Sequence, residues 1–328
     1  MTSHPLLDVH DLAVEFTTEE GAVRAVKGVD FTVERGRTLG IVGESGSGKS
    51  VTSLAVMGLH RGAAVTGSAR LDGTELIGAP AEQLRKLRGR RMAMVFQDAL
   101  TALHPYFTVG DQIAEAYREH FGGSRRAALA RAVDVLGDVG IPEPARRAEE
   151  YPHQFSGGMR QRAMIALALS CEPDLVIADE PTTALDVTVQ AQVLELLMRL
   201  QAERGLGIVM ITHDLGVIAR VADDVLVMYG GSAAEQAPAD TLFTTPRHPY
   251  TRGLLDSLPR LDAEEGAELR SIPGSPPSLL APPAGCAFHP RCAVYAAEPD
   301  ARCTGDRPLL RTVADGHRSA CVHDEVTA

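Results

Sequence analysis

One eight-residue stretch, residues 43–50, constrains this chain more than any other, because it reads Gly-Glu-Ser-Gly-Ser-Gly-Lys-Ser and fits the spacing G-x-x-x-x-G-K-S/T. A short apolar run, Thr38–Val42, precedes it, and the apolar residues 51–59 follow it. This order predicts a buried strand, a glycine-rich loop and then a helix. The sequence therefore predicts an α/β fold with a phosphate-binding loop. The alternative is an accidental Gly/Ser loop ahead of a helix.

The residues of this loop are candidate nucleotide ligands, and they are Gly43, Glu44, Ser45, Gly46, Ser47, Gly48, Lys49 and Ser50. Glycines let the backbone approach phosphate groups, and successive N–H groups at a helix start favour bound anions. In such a loop, Lys49 reaches the β- and γ-phosphates, and the Ser50 hydroxyl ligates Mg²⁺. The loop predicts nucleotide binding but does not say what the nucleotide drives.

Composition limits the classes of protein that this chain can belong to. Its 328 residues are 45% hydrophobic and 23% charged, which is ordinary for a soluble globular protein of one large domain with an appendage, or of two domains. No apolar run approaches the roughly 18 residues needed to span a bilayer. No signal peptide is visible at the start, so we expect the protein to stay in the cytosol. A net charge of −11 argues against nucleic acid as the main ligand.

Two acidic residues follow a short apolar run at residues 175–178, and they are Asp179 and Glu180. The run predicts a buried parallel strand whose carboxyl end delivers both carboxylates to the edge where ligands of α/β sheets bind. We expect Asp179 to hold Mg²⁺ and Glu180 to orient or deprotonate a water molecule. A purely structural pair of strand-end acids is the alternative, and the phosphate-binding loop in the same chain disfavours it.

Three further residues are functional candidates only because the same chain is predicted to bind a nucleotide. Gln97 follows an apolar strand at residues 92–96 and could contact Mg²⁺ or the attacking water, and His213 follows a strand at 207–212 and could meet the γ-phosphate. Each would otherwise be an ordinary strand-end side chain. Phe16 either stacks on the nucleotide base or faces the core.

The segment from about residue 98 to residue 170 has helical spacing, which predicts a helical insertion within the α/β core. Inside it, Ser156 is placed as the N-cap of a helix, and Gly157 and Gly158 bare the backbone N–H groups. This predicts a second anion site, although Ser-Gly-Gly before a helix is often no more than a cap.

Prolines cluster after about residue 238, which predicts a loop-rich extension that is not another layer of the core. Four of the five cysteines lie there, and they are Cys286, Cys292, Cys303 and Cys321. Gaps of 5, 10 and 17 residues match no Cys-x-x-Cys zinc module, yet loops of this kind gain from a metal that links them. Free structural thiols are the alternative. Cys171 stands apart and is expected to be a small buried hydrophobe.

With these residues assembled, the chain resembles the ATP-binding subunits of ABC transporters, and more narrowly their oligopeptide/dipeptide-import branch. The motifs that carry the resemblance are Walker A (43–50), the Q-loop (Gln97), the signature (155–161), Walker B (175–180), the D-loop (Ala184, Leu185, Asp186) and the switch histidine (His213). The branch rests on residues 179–190, 247–251 and 285–292. The departures are Phe155 in place of Leu, and Ala99 and His104 in the segment that would face a membrane partner.

The resemblance implies a fold and a set of cofactors. The fold is a P-loop NTPase with a RecA-like core, an antiparallel β subdomain and a helical subdomain at about 98–170. It implies a nucleotide-binding domain over residues 1–245 and a small loop-rich C-terminal extension over 246–328. ATP and Mg²⁺ are the implied ligands of the first domain, with Ser50, Gln97 and Asp179 on Mg²⁺. A 4Fe-4S cluster, with zinc as the alternative, is implied on the four cysteines of the extension.

The resemblance also implies a function, which is ATP hydrolysis coupled to the uptake of di- and oligopeptides. Uptake of another solute, such as nickel or a glycoside, and a non-transport ABC ATPase are the alternatives. Glu180 would polarise the water, while His213 and Gln97 would sense the γ-phosphate. Two cassettes would pack head-to-tail, and each would complete the other's ATP site in trans with Ser156, Gly157, Gly158 and Gln161.

The implied partners are a second ATPase subunit, which would be a paralogue in a heterodimer, two transmembrane permease subunits and an extracytoplasmic solute-binding protein. No nucleic acid is implied. The expected location is the cytoplasmic face of the inner membrane, where the chain would be a peripheral protein.

Overall fold

The computed structural model describes residues 4–183, 185–258 and 271–323, apart from the side chain of Leu100. Ala184 of the predicted D-loop lies outside the described residues. The strands in the described part are β1 (Leu7–Thr18), β2 (Gly21–Val33), β3 (Thr38–Val42), β4 (Ala63–Leu71), β5 (Thr74–Glu75), β6 (Met92–Val95), β7 (Leu175–Asp179), β8 (Gly207–Ile211), β9 (Asp224–Tyr229), β10 (Ser232–Pro238), β11 (Arg311–Ala314) and β12 (His317–Ser319).

The α-helices described alongside these strands are α1 (Lys49–Val56), α2 (Ala81–Leu87), α3 (Ala99–Ala102), α4 (Val109–Phe121), α5 (Arg125–Asp138), α6 (Pro144–Ala148), α7 (Gly157–Leu169), α8 (Val187–Arg204), α9 (Leu215–Val221), α10 (Ala239–Thr244), α11 (Pro249–Asp256) and α12 (Ala293–Ala297). Within the ranges described, none of these helices is long and apolar enough to cross a membrane.

The chain divides into two compact units. The first unit contains residues 33–37 and 79–211, together with residues 4–6. The second unit contains residues 7–32, 38–78 and the described residues from 212 onward. Each unit takes segments from distant parts of the sequence, so a single boundary along the chain does not separate them. The predicted boundary between residues 245 and 246 falls inside the second unit.

The first unit contains three parallel strands in the order β8-β7-β6. Every residue of β7 is buried, which explains why it is apolar throughout apart from its last residue, Asp179. The predicted helical insertion is confirmed, since α3 to α7 all lie between residues 98 and 170. Helix α7 packs against α3, α4 and α5, and α4 packs against α5 and α6.

The second unit contains an antiparallel sheet in the order β2-β1-β4-β5 and a mixed set of strands in the order β11-β12-β10-β9-β3. Strand β3 is parallel to β9, while β9, β10, β12 and β11 are joined by antiparallel pairs. The predicted strand Thr38–Val42 is confirmed with the same bounds. The helix after the loop differs slightly from its prediction, because α1 starts at Lys49, inside the loop motif, and ends at Val56.

The C-terminal extension is more than a set of loops. Strand β12 pairs with β10, and β11 pairs with β12, so the extension adds two short strands to a core sheet. The prediction that this segment forms no layer of the core is therefore wrong for residues 311–319. Its strands are short and carry little periodic pattern, whereas its prolines gave a strong turn signal.

Candidate functional site

The phosphate-binding loop connects β3 to α1 within the second unit. Gly43 has a φ of +150°, and a Cβ added there would lie 2.1 Å from the carbonyl oxygen of Met228. Gly48 has a φ of +100°, and its Cβ would lie 2.5 Å from the carbonyl oxygen of Ala25. Glycine is therefore required at both positions by the backbone conformation and by close packing.

Lys49 is the first residue of α1, and only 6% of it is exposed. Its Nζ donates hydrogen bonds to the carbonyl oxygens of Gly43, at 2.6 Å, and Glu44, at 3.0 Å. No side chain in the described ranges caps the N-terminus of α1, and Ser50 in its first turn is exposed. A buried ammonium group and an uncapped helix N-terminus therefore meet at one loop, which is the arrangement of a phosphate site.

His213 lies in the second unit, near the strand that leads into the loop. The N–H of Thr212 donates to the carbonyl oxygen of Ile41 at 3.2 Å, so His213 follows a residue that is bonded to β3 just before Gly43. His213 is exposed, and the next residue, Asp214, caps helix α9 through its Oδ1. The structure thus places His213 and the loop at the same end of β3, and contact of His213 with the γ-phosphate stays a prediction.

Gln97 and Glu180 meet in the first unit. They follow the neighbouring parallel strands β6 and β7, in which Val95 pairs with Ala178. Nε2 of Gln97 donates to Oε2 of Glu180 at 3.0 Å. The hydroxyl of Thr183 donates to the same oxygen at 2.9 Å. Thr183 was not predicted as a site residue, and its only signal in the sequence is its position three residues after Glu180.

The backbone at Glu180 is in the left-handed region, with a φ of +47°. Its N–H donates to the carbonyl oxygen of Ile211 at 2.8 Å. A residue other than glycine rarely adopts this conformation, and such strain tends to be found at functional sites. The preceding residue, Asp179, is buried at 7% exposure. Both acids therefore lie at the carboxyl end of β7, held by an irregular backbone that aims successive side chains in different directions.

The predicted second anion site opens helix α7. Oγ of Ser156 accepts a hydrogen bond from the N–H of Met159 at 3.3 Å, which confirms Ser156 as the N-cap. Ser156 and Gly157 are exposed, and a Cβ at Gly157 would meet no atom within 4 Å. A Cβ at Gly158 would lie 2.6 Å from Cγ1 of Val189. The helix start is therefore open to solvent on the Gly157 side and closely packed on the Gly158 side.

Gln161 does not share this exposure, and its contact with a second cassette stays a prediction. Only 4% of Gln161 is exposed, and its Nε2 is buried without a hydrogen-bond partner among the described residues. It lies one turn after the exposed glycines, on the face of α7 that is packed inside the unit. Gln161 therefore belongs to the interior of the first unit.

Phe16 lies near the end of β1, opposite Ala63 of β4. Leu12 and Val14 on the same strand are fully buried, whereas Phe16 is half-buried. Burial thus decreases along the strand toward Phe16. Stacking on a base stays a prediction for this residue.

The four cysteines of the extension converge, although they are spread over 36 residues. All four line one small cavity of about 20 Å³, and the N–H of Cys286 donates to the carbonyl oxygen of Cys303 at 2.9 Å. Burial raises the pKa of Cys286 to about 11 and that of Cys321 to about 12, and the neighbouring thiols act in the same direction. Burial therefore favours the neutral form of the Cys286 and Cys321 thiols.

Within the described ranges, no three His, Cys, Asp or Glu side chains are placed as ligands of a single metal ion. The described side chains are therefore not arranged around a single metal ion, although all four thiols line the same cavity. The fifth cysteine, Cys171, is buried in the first unit, as predicted.

Two family models match this chain. A model described as ABC transporter matches residues 26–183, and one described as oligopeptide/dipeptide transporter, C-terminal region, matches residues 234–298. The first range contains the loop, Gln97, the signature and both strand-end acids. The second contains Tyr250 and two of the four clustered cysteines.

Several curated proteins are similar over most of the chain. The oligopeptide transport ATP-binding protein OppD of Haemophilus influenzae is 52% identical over 290 residues, which cover 88% of this chain and 90% of that protein. OppD of Salmonella typhimurium is 50% identical over 96% of this chain and 93% of that protein. OppD of Mycobacterium tuberculosis is 50% identical over 98% of this chain, but the chain spans only about half (52%) of that relative's length.

Solved structures share the fold. The dimeric bacterial ABC transporter cassette MJ0796 has a TM-score of 0.64 and 28% identity, and the match covers 71% of this chain and 98% of that one. The cbiO1 protein of Clostridium perfringens, part of the ABC transporter complex cbiONQ, has a TM-score of 0.62 and 26% identity. That match covers 74% of this chain and 91% of cbiO1.

Proposed function

Because the chain belongs to the family of ABC transporter ATP-binding proteins, we propose that it is the ATP-hydrolysing subunit of a membrane importer for di- and oligopeptides. The observation that carries the proposal is the similarity to two peptide-transport ATP-binding proteins over nine-tenths of their length, which includes the extension. The fold is the P-loop ABC cassette. Peptide as the solute, and the importer as a whole, remain parts of the proposal.

The loop residues 43–50 bind the phosphates of ATP in this proposal. Their N–H groups and the N-terminus of α1 face the anion, and Lys49 exchanges its bonds to the Gly43 and Glu44 carbonyls for the β- and γ-phosphate oxygens. Ser50, Asp179 and Gln97 would hold Mg²⁺. Bound Mg²⁺ supplies charge neutralisation between the β- and γ-phosphates. Phe16 would stack on the base.

Glu180 is the residue that we assign to the attacking water. Phosphoryl transfer needs positioning and charge stabilisation more than covalent chemistry. The hydrogen bonds from Gln97 and Thr183 orient the Glu180 carboxylate, which can then accept a proton from water. His213, exposed at the end of the strand that leads into the loop region, would contact the γ-phosphate.

A second cassette would complete the site. The exposed helix start at Ser156 and Gly157, with the adjacent Gly158, is suited to bind an anion. The similar cassette MJ0796 is described as dimeric. We infer that these residues contact the ATP of a partner cassette, which is a paralogue in a heterodimer.

The remaining partners follow from the importer that we propose. The helical subdomain, at about 98–170, would transmit motion to two transmembrane permease subunits, and an extracytoplasmic solute-binding protein would deliver the peptide. The chain would then be a peripheral protein on the cytoplasmic face of the inner membrane. Residues 1–245 would form the nucleotide-binding domain, and residues 246–328 would form the extension.

The four cysteines would hold a 4Fe-4S cluster, with zinc as the alternative. The support for this proposal is the type of donor, because thiolates ligate both groups and four thiols line one cavity, although no three of them are placed around a single ion in the described residues. Metal binding would remove the protons that burial retains on Cys286 and Cys321. A bound cluster would link the four segments of the extension that carry these cysteines. Cys286, Cys292, Cys303 and Cys321 would be its ligands.

The test of the proposed function is reconstitution with the partners. The chain would be co-purified with its permease subunits and solute-binding protein in lipid vesicles, and ATP hydrolysis would be measured with a di- or tripeptide, Ni²⁺ or a glycoside as the solute. We expect only peptide to stimulate hydrolysis. Stimulation by another solute would identify that solute as the transported one. Hydrolysis that no membrane partner affects would indicate a non-transport ABC ATPase.

A further inference from the structure

Arg291 of the extension forms a bidentate ion pair with Glu44 of the phosphate-binding loop. Its Nη1 lies 2.6 Å from Oε2 of Glu44, and its Nη2 lies 3.0 Å from Oε1. The two residues are 247 positions apart in the sequence. Two parallel hydrogen bonds fix the direction of the carboxylate as well as its distance. The pair therefore restrains the Glu44 side chain more tightly than a single contact would.

Arg291 is itself held in place by the protein around it. Its Nε donates to the carbonyl oxygen of Pro273 at 2.8 Å, its Nη1 to the hydroxyl of Tyr229 at 3.1 Å, and its Nη2 to the carbonyl oxygen of Gly274 at 3.3 Å. Only 7% of the side chain is exposed. The hydrogen bonds to Glu44 raise the pKa of Arg291, so it stays charged. These contacts restrain the position and orientation of the Arg291 guanidinium group.

The main chain of Glu44 is held from the same side. Its N–H donates to the hydroxyl of Tyr250 at 2.8 Å, and Tyr250 is fully buried. The ring of Tyr250 packs 4.5 Å from that of Tyr229 and 5.3 Å from that of Phe288, measured between centroids. Residues of β9 and of the extension therefore hold both the backbone and the side chain of Glu44.

Glu44 is the second residue of the loop, and its carbonyl oxygen accepts a hydrogen bond from Lys49. A rotation of Glu44 would move this carbonyl and would re-aim the N–H of the next residue. Phosphate binding depends on several loop N–H groups pointing at one place, so a small rotation is enough to weaken it.

We propose that Arg291 is a positioning residue of the nucleotide site, which holds Glu44 so that the loop keeps its phosphate-binding shape. The extension is then part of the ATP site through its contact with Glu44 of the loop. This inference rests on the proposed binding of ATP by the loop, and it assigns the regulation of that site to a segment outside the cassette motifs.

The test compares Arg291→Gln with the exposed control Arg252→Gln in the full chain, since both remove one guanidinium from the same unit. Binding of the fluorescent analogue mant-ATP would be measured by equilibrium titration. We expect about tenfold weaker binding for Arg291→Gln and no change for the control. A purely structural role would lower the unfolding temperature only. A positioning role raises KM for ATP and leaves kcat at saturating ATP within about twofold.

A double-mutant cycle separates the pair from its surroundings. Glu44→Gln alone should weaken binding, and the double variant should be weakened less than the two single effects combined, because each change removes the same ion pair. Tyr250→Phe removes the acceptor of the Glu44 N–H while keeping the aromatic packing, and it should weaken binding by a smaller factor. Should Arg291→Gln not fold, Arg291→Lys and Tyr250→Phe give the same comparison.

Two results would overturn the inference. The first is a folded Arg291→Gln variant, or Arg291→Lys in its place, that binds mant-ATP as the wild type does. The second is full additivity in the cycle. A wild-type chain that binds no mant-ATP would instead refute the proposed function, so the two failures are distinguishable.

Discussion

The amide group of Gln97 donates a hydrogen bond to the Glu180 carboxylate at 3.0 Å, across the ends of two adjacent parallel strands. The two residues are 83 positions apart, and the strand register brings them together. A donor that faces a carboxylate fixes the orientation of that carboxylate. A shift of the Gln97 side chain would therefore also alter the orientation of Glu180, which we assign to the attacking water.

Replacing Glu180 by Gln should stop turnover and keep ATP binding. The amide retains the size of the side chain but cannot accept a proton, so we expect hydrolysis to fall by at least about 100-fold. Glu195→Gln, at an exposed position on α8, is the matched control and should hydrolyse ATP normally. Steady-state phosphate release and mant-ATP titration are the measurements. Substantial hydrolysis by Glu180→Gln would remove this residue from the central role.

Gly43→Ala should abolish nucleotide binding, because its Cβ would lie 2.1 Å from the Met228 carbonyl oxygen and the loop would have to move. Gly46→Ala is a matched control in the same loop. Its Cβ meets no atom within 4 Å, so only the left-handed backbone, with a φ of +76°, costs about 1 kcal/mol. Isothermal titration with ATP compares the two variants. Equal losses for both would contradict the packing argument.

Gly157→Asp should prevent ATP-dependent association of cassettes without affecting the fold of its own chain. A Cβ added at Gly157 would meet no atom within 4 Å, so the aspartate can be accommodated. Its negative charge would repel the phosphates bound by a partner cassette. Light scattering of the Glu180→Gln chain, with ATP and the co-expressed second ATPase subunit, measures association. Undiminished association of the double variant would show that the start of α7 is not at the interface.

The buried Glu235 predicts a dependence of stability on pH. Burial alone would raise the pKa of Glu235, but hydrogen bonds from His317 and from the N–H groups of Arg247 and His248 outweigh it and lower this pKa below its ordinary 4.5. A lowered pKa adds stability that is present above 4.5 and is lost as the pH falls through the folded-state value.

Glu235→Gln should therefore cost about 3 kcal/mol of unfolding free energy at pH 7. It should also flatten the loss of stability below pH 4.5. Urea denaturation between pH 3 and pH 7 measures both effects, with Glu195→Gln as an exposed control. Parallel pH profiles for wild type and Glu235→Gln would contradict the assignment.

Removal of one clustered thiol should empty the cysteine site. Anaerobically purified wild type should be coloured and contain iron, Cys303→Ala should lose most of that iron, and Cys171→Ala should keep it because Cys171 lies in the other unit. Iron and zinc analysis, with the visible absorption spectrum, measures this. A colourless wild type with stoichiometric zinc would support the zinc alternative and reject the cluster.

Local signals in the sequence were enough to predict the strand Thr38–Val42, the loop and helix that follow it, and the N-cap at Ser156. These features depend on neighbouring residues, through periodic burial, glycine content and capping side chains. The orientation of Gln161 was not predicted, since helical spacing alone does not say which face of α7 meets the rest of its unit. The strands of the extension were missed because residues 311–319 carry almost no alternation.

The sequence by itself determined that this chain has a phosphate-binding loop, strand-end acids and a cysteine-rich extension. Each of these features can be recognised from the types of residue in one segment of the chain. Only the tertiary structure decided that Arg291 reaches Glu44, that Gln97 reaches Glu180 and that four dispersed thiols share one cavity. The physical reason is that such contacts depend on how distant segments pack against one another. Local conformational preference contains no information about a partner 247 residues away.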